Sequence, residues 1–334
     1  MSRYLFAQAG TFCLQGFMSC IAERISLSTC WCSDRHTDGY AMVDEIVGLG
    51  FKRIELSHGI RISLVPGVLK AVDEGLVKIS SVHNFCPLPI GVNHAAPNFY
   101  EPSASDQRER SSWNRYTLQT LDFAKRTGAK NVVMHSGSVH FFLKSPEKKL
   151  REWMQLEDLD RTRLSENDKF VSKCEHAMRR IRKVSKNPVK HVKTCFSQAV
   201  EWAKERDLRL CIENREGLSE IPFDSELAEF MLEFSAPEQL GYWHDTGHAQ
   251  IKHQLGLLNH AEHLTSLNDH LTGFHLHDVT EEGADHQPIG SGIVDFSMIA
   301  EFVRPEHELV LELSPQVDSE DVLASRDFIC NLLT

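Results

Sequence analysis

The sequence predicts an α/β chain closed as one parallel (β/α)8 barrel, and three observations carry that expectation. Short, nearly continuous apolar runs recur along the chain, as strands buried on both faces require. Helix-like stretches separate them, the alternation of a parallel sheet with crossover helices. The last four runs each end in a metal-type ligand: Leu210-Cys211-Ile212-Glu213, Tyr242-Trp243-His244-Asp245, Gly273-Phe274-His275 and Leu309-Val310-Leu311-Glu312. The C-terminal ends of barrel strands are where such a fold keeps its active site.

In chain order, strands are expected at Ile25–Thr29, Arg53–Leu56, Lys78–Val82, Asn131–His135, Arg209–Glu213, Gly241–Asp245, Gly273–His277 and Glu308–Glu312. Gly48-Leu49-Gly50 before the second and Thr127-Gly128-Ala129 before the fourth are helix-ending signals, because glycine supplies the left-handed residue of a C-cap. Trp31 follows the first strand and is a candidate pocket residue at the active pole. Glu55 ends the second strand in Ile54-Glu55-Leu56-Ser57-His58, the place for a carboxylate that binds substrate or supports a ligand. His83 ends the third and His135 the fourth. His248 lies three residues past Asp245 in Asp245-Thr246-Gly247-His248. His286 falls in Asp285-His286-Gln287-Pro288-Ile289-Gly290-Ser291-Gly292, a turn-rich loop after the seventh strand. Together these histidines ring one pole of the barrel. Cys211, inside a strand, reads as a small buried hydrophobe, and Trp113 and Trp243 as core or pocket wall.

Residues 1–334 are read as a single domain, with residues 1–23 as an N-terminal extension packed on the barrel. One connection is out of proportion: residues 136–212 stand between the fourth-strand His135 and Glu213, where a whole βαβ unit takes roughly 30 residues. A helical insertion over about 141–195 is therefore expected. Between Lys144 and Lys193 it holds 15 Lys/Arg against 8 Asp/Glu, including the run Arg179-Arg180-Ile181-Arg182-Lys183. It reads as a solvated helical segment, or alternatively as a lid or anion-attracting rim, since βα loops lie on the active face.

The formal net charge is −11, which counts against a grip on a nucleic-acid backbone. The 9 cysteines are scattered, and Cys30-Trp31-Cys32 has the wrong spacing for a zinc knuckle or a CxxC redox pair, so a reducing cytoplasm without structural disulfides is expected. The apolar stretch from Tyr4 to Met18 is interrupted by Gln8, Gly10, Thr11, Gln15 and Gly16, unlike a signal peptide. No window approaches the roughly 20 apolar residues of a membrane helix.

Glu213, Asp245, His275 and Glu312 offer oxygens and one imidazole, a set suited to Mn²⁺, Mg²⁺, Co²⁺ or Zn²⁺ rather than to a thiolate metal. With Asp245-Thr246-Gly247-His248, His275-Leu276-His277-Asp278, His286 and Gly290-Ser291-Gly292, they make the chain resemble the xylose-isomerase-like TIM-barrel superfamily. That superfamily includes sugar (phosphate) isomerases and epimerases and the endonuclease IV class of abasic-site nucleases. The likeness runs from about residue 24 to the end, outside the insertion.

The isomerase/epimerase pattern implies one divalent metal on Glu213, Asp245, His275 and Glu312. A sugar or related polyhydroxy carbonyl compound would chelate it, giving a metal-stabilised enediolate. Glu213 and Glu312 would be the catalytic acid/base pair on opposite faces of the reacting carbon. His248 and His135 would hold substrate oxygens, and Trp31 could stack on a sugar face. The endonuclease-like pattern implies two or three zinc ions: His83, His135 and Glu213 on one, the four strand-end ligands on a second, His248 and His286 on a third. There the family's acidic partner two residues before His286 is replaced by Ala284, with Asp285 one residue off, and the glycine loop lacks its acidic central residue. The expectation is therefore a mononuclear sugar isomerase or epimerase, with a multi-zinc phosphoesterase as the alternative. A small-molecule substrate and no nucleic acid follow from it, and a homo-oligomer is compatible with barrels of this kind.

Overall fold

The computed structural model describes residues 21–157, 159 and 161–334, so the extension expected at the N-terminus lies, up to residue 20, outside the described residues. Eight strands form the barrel: β1 (Ile25–Ser28), β2 (Arg53–Leu56), β3 (Lys78–His83), β4 (Asn131–Met134), β5 (Arg209–Glu213), β6 (Leu240–Asp245), β7 (Leu271–Leu276) and β8 (Glu308–Leu311). All neighbours pair in parallel, and β1 closes on β8 through Ile25↔Leu309 and Leu27↔Leu311. The barrel read from the sequence is the barrel observed.

Helices α1 (Gly39–Gly48), α2 (Val65–Asp73) and α3 (Gln107–Thr127) follow the first three strands. Gly50 and Gly128 adopt the expected left-handed conformation, at φ 90° and 79°. Three helices fill the long connection after β4: α4 (Pro146–Leu156), α5 (Asp168–Val184) and α6 (Lys186–Arg206). α4 and α5 pack on each other, whereas α6 packs on α3 and β5 as an ordinary barrel helix does. Short helices α7 (Leu227–Leu232), α8 (Thr246–Gln254), α9 (His260–Leu267) and α10 (Phe296–Ala300) follow the next strands, and α11 (Ser319–Leu332) ends the chain. No helix among the described residues is long and apolar enough to cross a membrane.

The period-two alternation of a strand decides which residues enter the barrel. Val133, Cys211, Trp243 and Val310 form a separate buried cluster, each on a different strand. Two residues further along the same strands stand His135, Glu213, Asp245 and Glu312, stacked one layer above. Gly273 is needed at the corresponding place on β7, because a Cβ there would come within 2.5 Å of the Trp243 ring. Trp243 therefore fills the interior and meets His275 edge-on, with ring centroids 5.4 Å apart. It floors the pole on which the polar residues converge. Cys211 is the buried hydrophobe expected, its thiol pushed up to about 12 by burial.

Candidate metal centre

Glu213, Asp245, His275 and Glu312 converge at the C-terminal pole, with one potential ligand atom of each within 4.8 Å of the others. His275 Nδ1 lies 2.7 Å from Glu213 Oε1, 2.9 Å from Glu312 Oε2 and 3.9 Å from Asp245 Oδ2. Its Nε2 lies 3.0 and 3.1 Å from the two oxygens of Glu55. A neutral imidazole has one N–H. Given to Glu55, it leaves the Nδ1 lone pair facing carboxylate oxygens, an arrangement of acceptors that a cation satisfies. Burial alone would raise Glu213 and Glu312, but their imidazole neighbours hold both well below the usual carboxylate range. His275 goes the opposite way: burial would lower it, yet Glu312 and Glu55 hold it well above the ordinary histidine value. A proton on His275 balances these carboxylates, and a divalent cation bound among them would displace it.

The surrounding residues fix these side chains in place. Glu55 is fully buried and accepts from Ser28 Oγ at 2.9 Å and Ser81 Oγ at 2.7 Å, so it stands behind His275 instead of in the cavity. Asp245 Oδ1 caps α8 by accepting from the His248 backbone N–H at 2.7 Å. Its carboxylate also receives His277 Nε2 at 3.0 Å. His277 Nδ1 accepts from the His286 backbone N–H at 2.9 Å, which assigns the N–H of His277 to Nε2. Gly247 makes room for that ring, since a Cβ would lie 2.1 Å from His277 Cε1. With both nitrogens committed, His277 supports Asp245 and is not itself free to ligate. On the other side Asn214 Oδ1 accepts from the Asp245 backbone N–H at 2.8 Å, and Tyr242 O–H donates to the same oxygen at 2.9 Å.

His83 and His135 form a second group around Glu213, Nε2 of His135 lying 2.7 Å and that of His83 3.6 Å from Oε2. Nδ1 of His135 faces Asn98 Oδ1 at 2.8 Å, and Nδ1 of His83 the Asn84 carbonyl at 2.9 Å. Both rings thus donate through Nδ1 and turn an Nε2 lone pair toward the carboxylate. Burial and the nearby Arg215 lower His135 to about 3, so it stays neutral.

A cavity of about 440 Å³ opens over the centre, lined by His83, His135, Glu213, His248, His286 and Glu312 and by Cys30, His58, Arg215, Glu216 and Asp285, among others. Trp31 is not among them. The chain leaves β1 in a 3-10 turn (Thr29–Trp31) that carries the indole to the Val317 carbonyl, 2.7 Å away, under the Arg35 guanidinium; Cys30 takes the cavity position instead. His248 and His286 do reach the cavity. Although one residue out of register, Asp285 sends its carboxylate to within 3.2 Å of His286 Nδ1 and 3.9 Å of His248 Nε2. The Gly290-Ser291-Gly292 loop wraps the Asp278 carboxylate, which accepts from the N–H groups of Val279, Gly290, Gly292 and Val294 at 2.9–3.0 Å.

A family model described as "Xylose isomerase-like TIM barrel" matches residues 43–313. The chain belongs to this family. Among solved structures it is similar to a D-tagatose 3-epimerase-like protein at TM-score 0.64 and 17% identity, covering 93% of this chain and 97% of that one. It is also similar to an L-ribulose 3-epimerase at TM-score 0.63 and 12% identity, covering 93% and 94%. A 3-keto-D-glucoside 4-epimerase from E. coli aligns at TM-score 0.62 and 13% identity, covering 92% and 98%. At these identities the likeness is one of fold. No curated protein matches the sequence.

Residues of this family member that carry no role in the sequence reading also enter the site. Arg215 Nη1 lies 3.3 Å from Glu213 Oε2, while its Nε and Nη2 pair with Glu220 at 3.2 Å and Glu216 at 3.1 Å. His58 packs edge-on against His83 at 4.7 Å. Arg215 and Glu216 directly follow the strand-end Glu213, a signal available in the sequence. Asn98 had none: it reaches His135 from a loop 37 residues away.

Proposed function

We propose that the protein is a divalent-metal-dependent isomerase or epimerase acting on a sugar or related polyhydroxy carbonyl compound. The observation that carries this reading is His275 Nδ1 placed 2.7 Å from Glu213 and 2.9 Å from Glu312 while Nε2 is held by Glu55. Glu213, Asp245, His275 and Glu312 would hold Mn²⁺, Mg²⁺, Co²⁺ or Zn²⁺. When bound, such an ion supplies Lewis acidity to a substrate carbonyl. Glu213 and Glu312 are the acid/base pair: one takes the proton from the carbon beside the carbonyl, and the other returns a proton. His135, His248 and Arg215 face the substrate from the cavity wall. The sugar epimerases among the similar folds support the same substrate class.

A second reading is favoured by one observation, the two Nε2 lone pairs of His83 and His135 turned toward Glu213 Oε2. They would hold a second ion sharing Glu213, as in a multi-zinc phosphoesterase. Elemental analysis of protein purified without added metal separates the two: about one ion per chain supports the mononuclear enzyme, and two or three zinc ions support the phosphoesterase. The reaction itself is tested by incubating ketoses with the protein in D2O. Deuterium incorporation beside the carbonyl is expected, and its absence across a ketose panel refutes the proposal.

A further inference from the structure

We infer that Tyr242 is a positioning residue for the proposed metal centre, its hydroxyl acting from outside the barrel through Asn214 on Asp245; this rests on the reading of Asp245 as a ligand above. On β6 the strand alternation sends Trp243 and Asp245 inward, so Tyr242 and His244 face the helices. Phe274 of β7 meets His244 edge-on at 5.8 Å, and Leu264 and Leu267 are buried on the helix α9 that also carries His260 and His263. Among these apolar groups Tyr242, His244, His260 and His263 form one polar chain, none of them more than 6% exposed. Polar groups buried in this way cost stability unless each is satisfied.

The protons can be placed from one fixed point. The Asn214 side-chain amide brackets the Asp245 backbone, Oδ1 accepting from its N–H at 2.8 Å and Nδ2 donating to its carbonyl at 3.0 Å. That amide cannot turn, so Tyr242 must donate to Oδ1, 2.9 Å away. A hydroxyl has one proton to give. The phenol oxygen therefore accepts from His244 Nδ1–H at 2.7 Å and from His263 Nε2–H at 3.0 Å. His260 Nε2–H donates to the remaining lone pair of His244 at 2.9 Å. Its Nδ1 stands 3.2 Å from the Gln250 amide, which can turn either end to it. Burial keeps these imidazoles neutral, lowering His244 well below its ordinary value, His260 to about 3 and His263 to about 4.

Three bonds thus meet at the Tyr242 oxygen, and the one it donates is the one that leads inward. Asp245 has use for that support because its carboxylate is shared between two tasks. Oδ1 caps α8 through the His248 N–H at 2.7 Å, and Oδ2 faces His275 Nδ1 at 3.9 Å. With the backbone held at both its N–H and its carbonyl, the carboxylate serves both without shifting. Removing the hydroxyl takes one of two donors from Asn214 Oδ1 and strands two imidazole N–H groups. The corner between β6 and α8, which carries Asp245 to the centre and His248 to the cavity, should then loosen.

Chelator-competition titration of the full-length, metal-free protein with Mn²⁺ and Zn²⁺ tests the assignment, together with amide hydrogen exchange of the peptide spanning 244–248. Tyr242→Phe is expected to weaken ion binding about tenfold, the lower end of the range for groups that support a ligand, and to speed exchange of that peptide before any ion is added. Leu264→Ala removes packing on α9 and no hydrogen bond, so it should lower the melting temperature while keeping the ion affinity within about twofold. Should Tyr242→Phe not fold, the double variant Tyr242→Phe with His263→Leu removes a stranded donor along with its acceptor and makes the same test. Unchanged ion affinity on loss of the hydroxyl overturns the inference. So does an equal weakening in Leu264→Ala, which would make the effect one of general destabilisation. If the unaltered protein binds neither ion the metal reading falls, and unchanged exchange of the peptide would then also remove Tyr242 as the group that holds Asp245.

Discussion

Glu55→Gln isolates what the carboxylate behind His275 contributes. Gln keeps the volume and one acceptor oxygen at a site with 0% exposure, and the hydroxyls of Ser28 and Ser81 can turn to meet the new amide. What disappears is the charge that His275 Nε2 faces at 3.0 Å. A hydrogen bond to a charged group contributes about 1.5–3 kcal/mol and a neutral one about 0.5–1.5, so the substitution should cost about 1.4 kcal/mol of ligand basicity and orientation. That is about a tenfold weaker metal dissociation constant, at the lower end of the 10–100-fold range typical of such supporting groups. Glu55→Ala, which leaves the imidazole N–H and two hydroxyls without an acceptor, should approach 100-fold. Competition against a chromogenic chelator gives the constants, and melting of the metal-free variants separates a ligand effect from a folding one. Unchanged affinity in both variants would refute the assignment of His275 as a ligand through Nδ1.

Three further outcomes are expected. Glu213→Gln should lower deuterium exchange by about 10²–10⁴-fold, the usual share of a positioned acid or base, with an unchanged far-ultraviolet spectrum; near-normal exchange sinks the acid/base role. Asp278→Asn exchanges one acceptor oxygen for a donor facing two backbone N–H groups, so about 3–6 kcal/mol should be lost. Urea unfolding reads this directly, and a loss under about 1 kcal/mol contradicts the cradle described for the glycine loop. The exposed His140 is raised above its ordinary value chiefly by its hydrogen bond to Glu101, 2.7 Å away. Its contribution is therefore present below the unfolded value of about 6.5 and fades as pH rises through the higher folded value. Melting temperatures should fall over that window more steeply than in His140→Gln, and parallel curves would count against the pairing.

Much of this site was legible because a strand repeats every two residues. Once Cys211 and Trp243 are read as interior, Glu213 and Asp245 must point the same way one step later, and the barrel brings them together. His83, His135, His275 and Glu312 follow by the same rule. Trp31 did not, because the chain turns as a 3-10 helix at Thr29 and the periodicity stops before the indole is reached. Asn98, which orients His135, and Glu147, which anchors α4 to Ser219, act across loops whose course no local pattern specifies. The offset of Asp285 read from the sequence as a missing partner, yet its side chain spans the difference to His286.

The four converging side chains come from four separate strands, from Glu213 on β5 to Glu312 just past β8, and the ring they crown closes only when β8 meets β1. An ion that recognises only the closed form stabilises it by RT ln(1 + [M]/Kd), about 2.7 kcal/mol when the metal stands at 100 times its dissociation constant. Metal supply would then set the lifetime of the polypeptide as well as its activity. In a metal-starved cell the open form would be more populated and proteases would clear it, so the protein's abundance would follow the supply of an ion bound there.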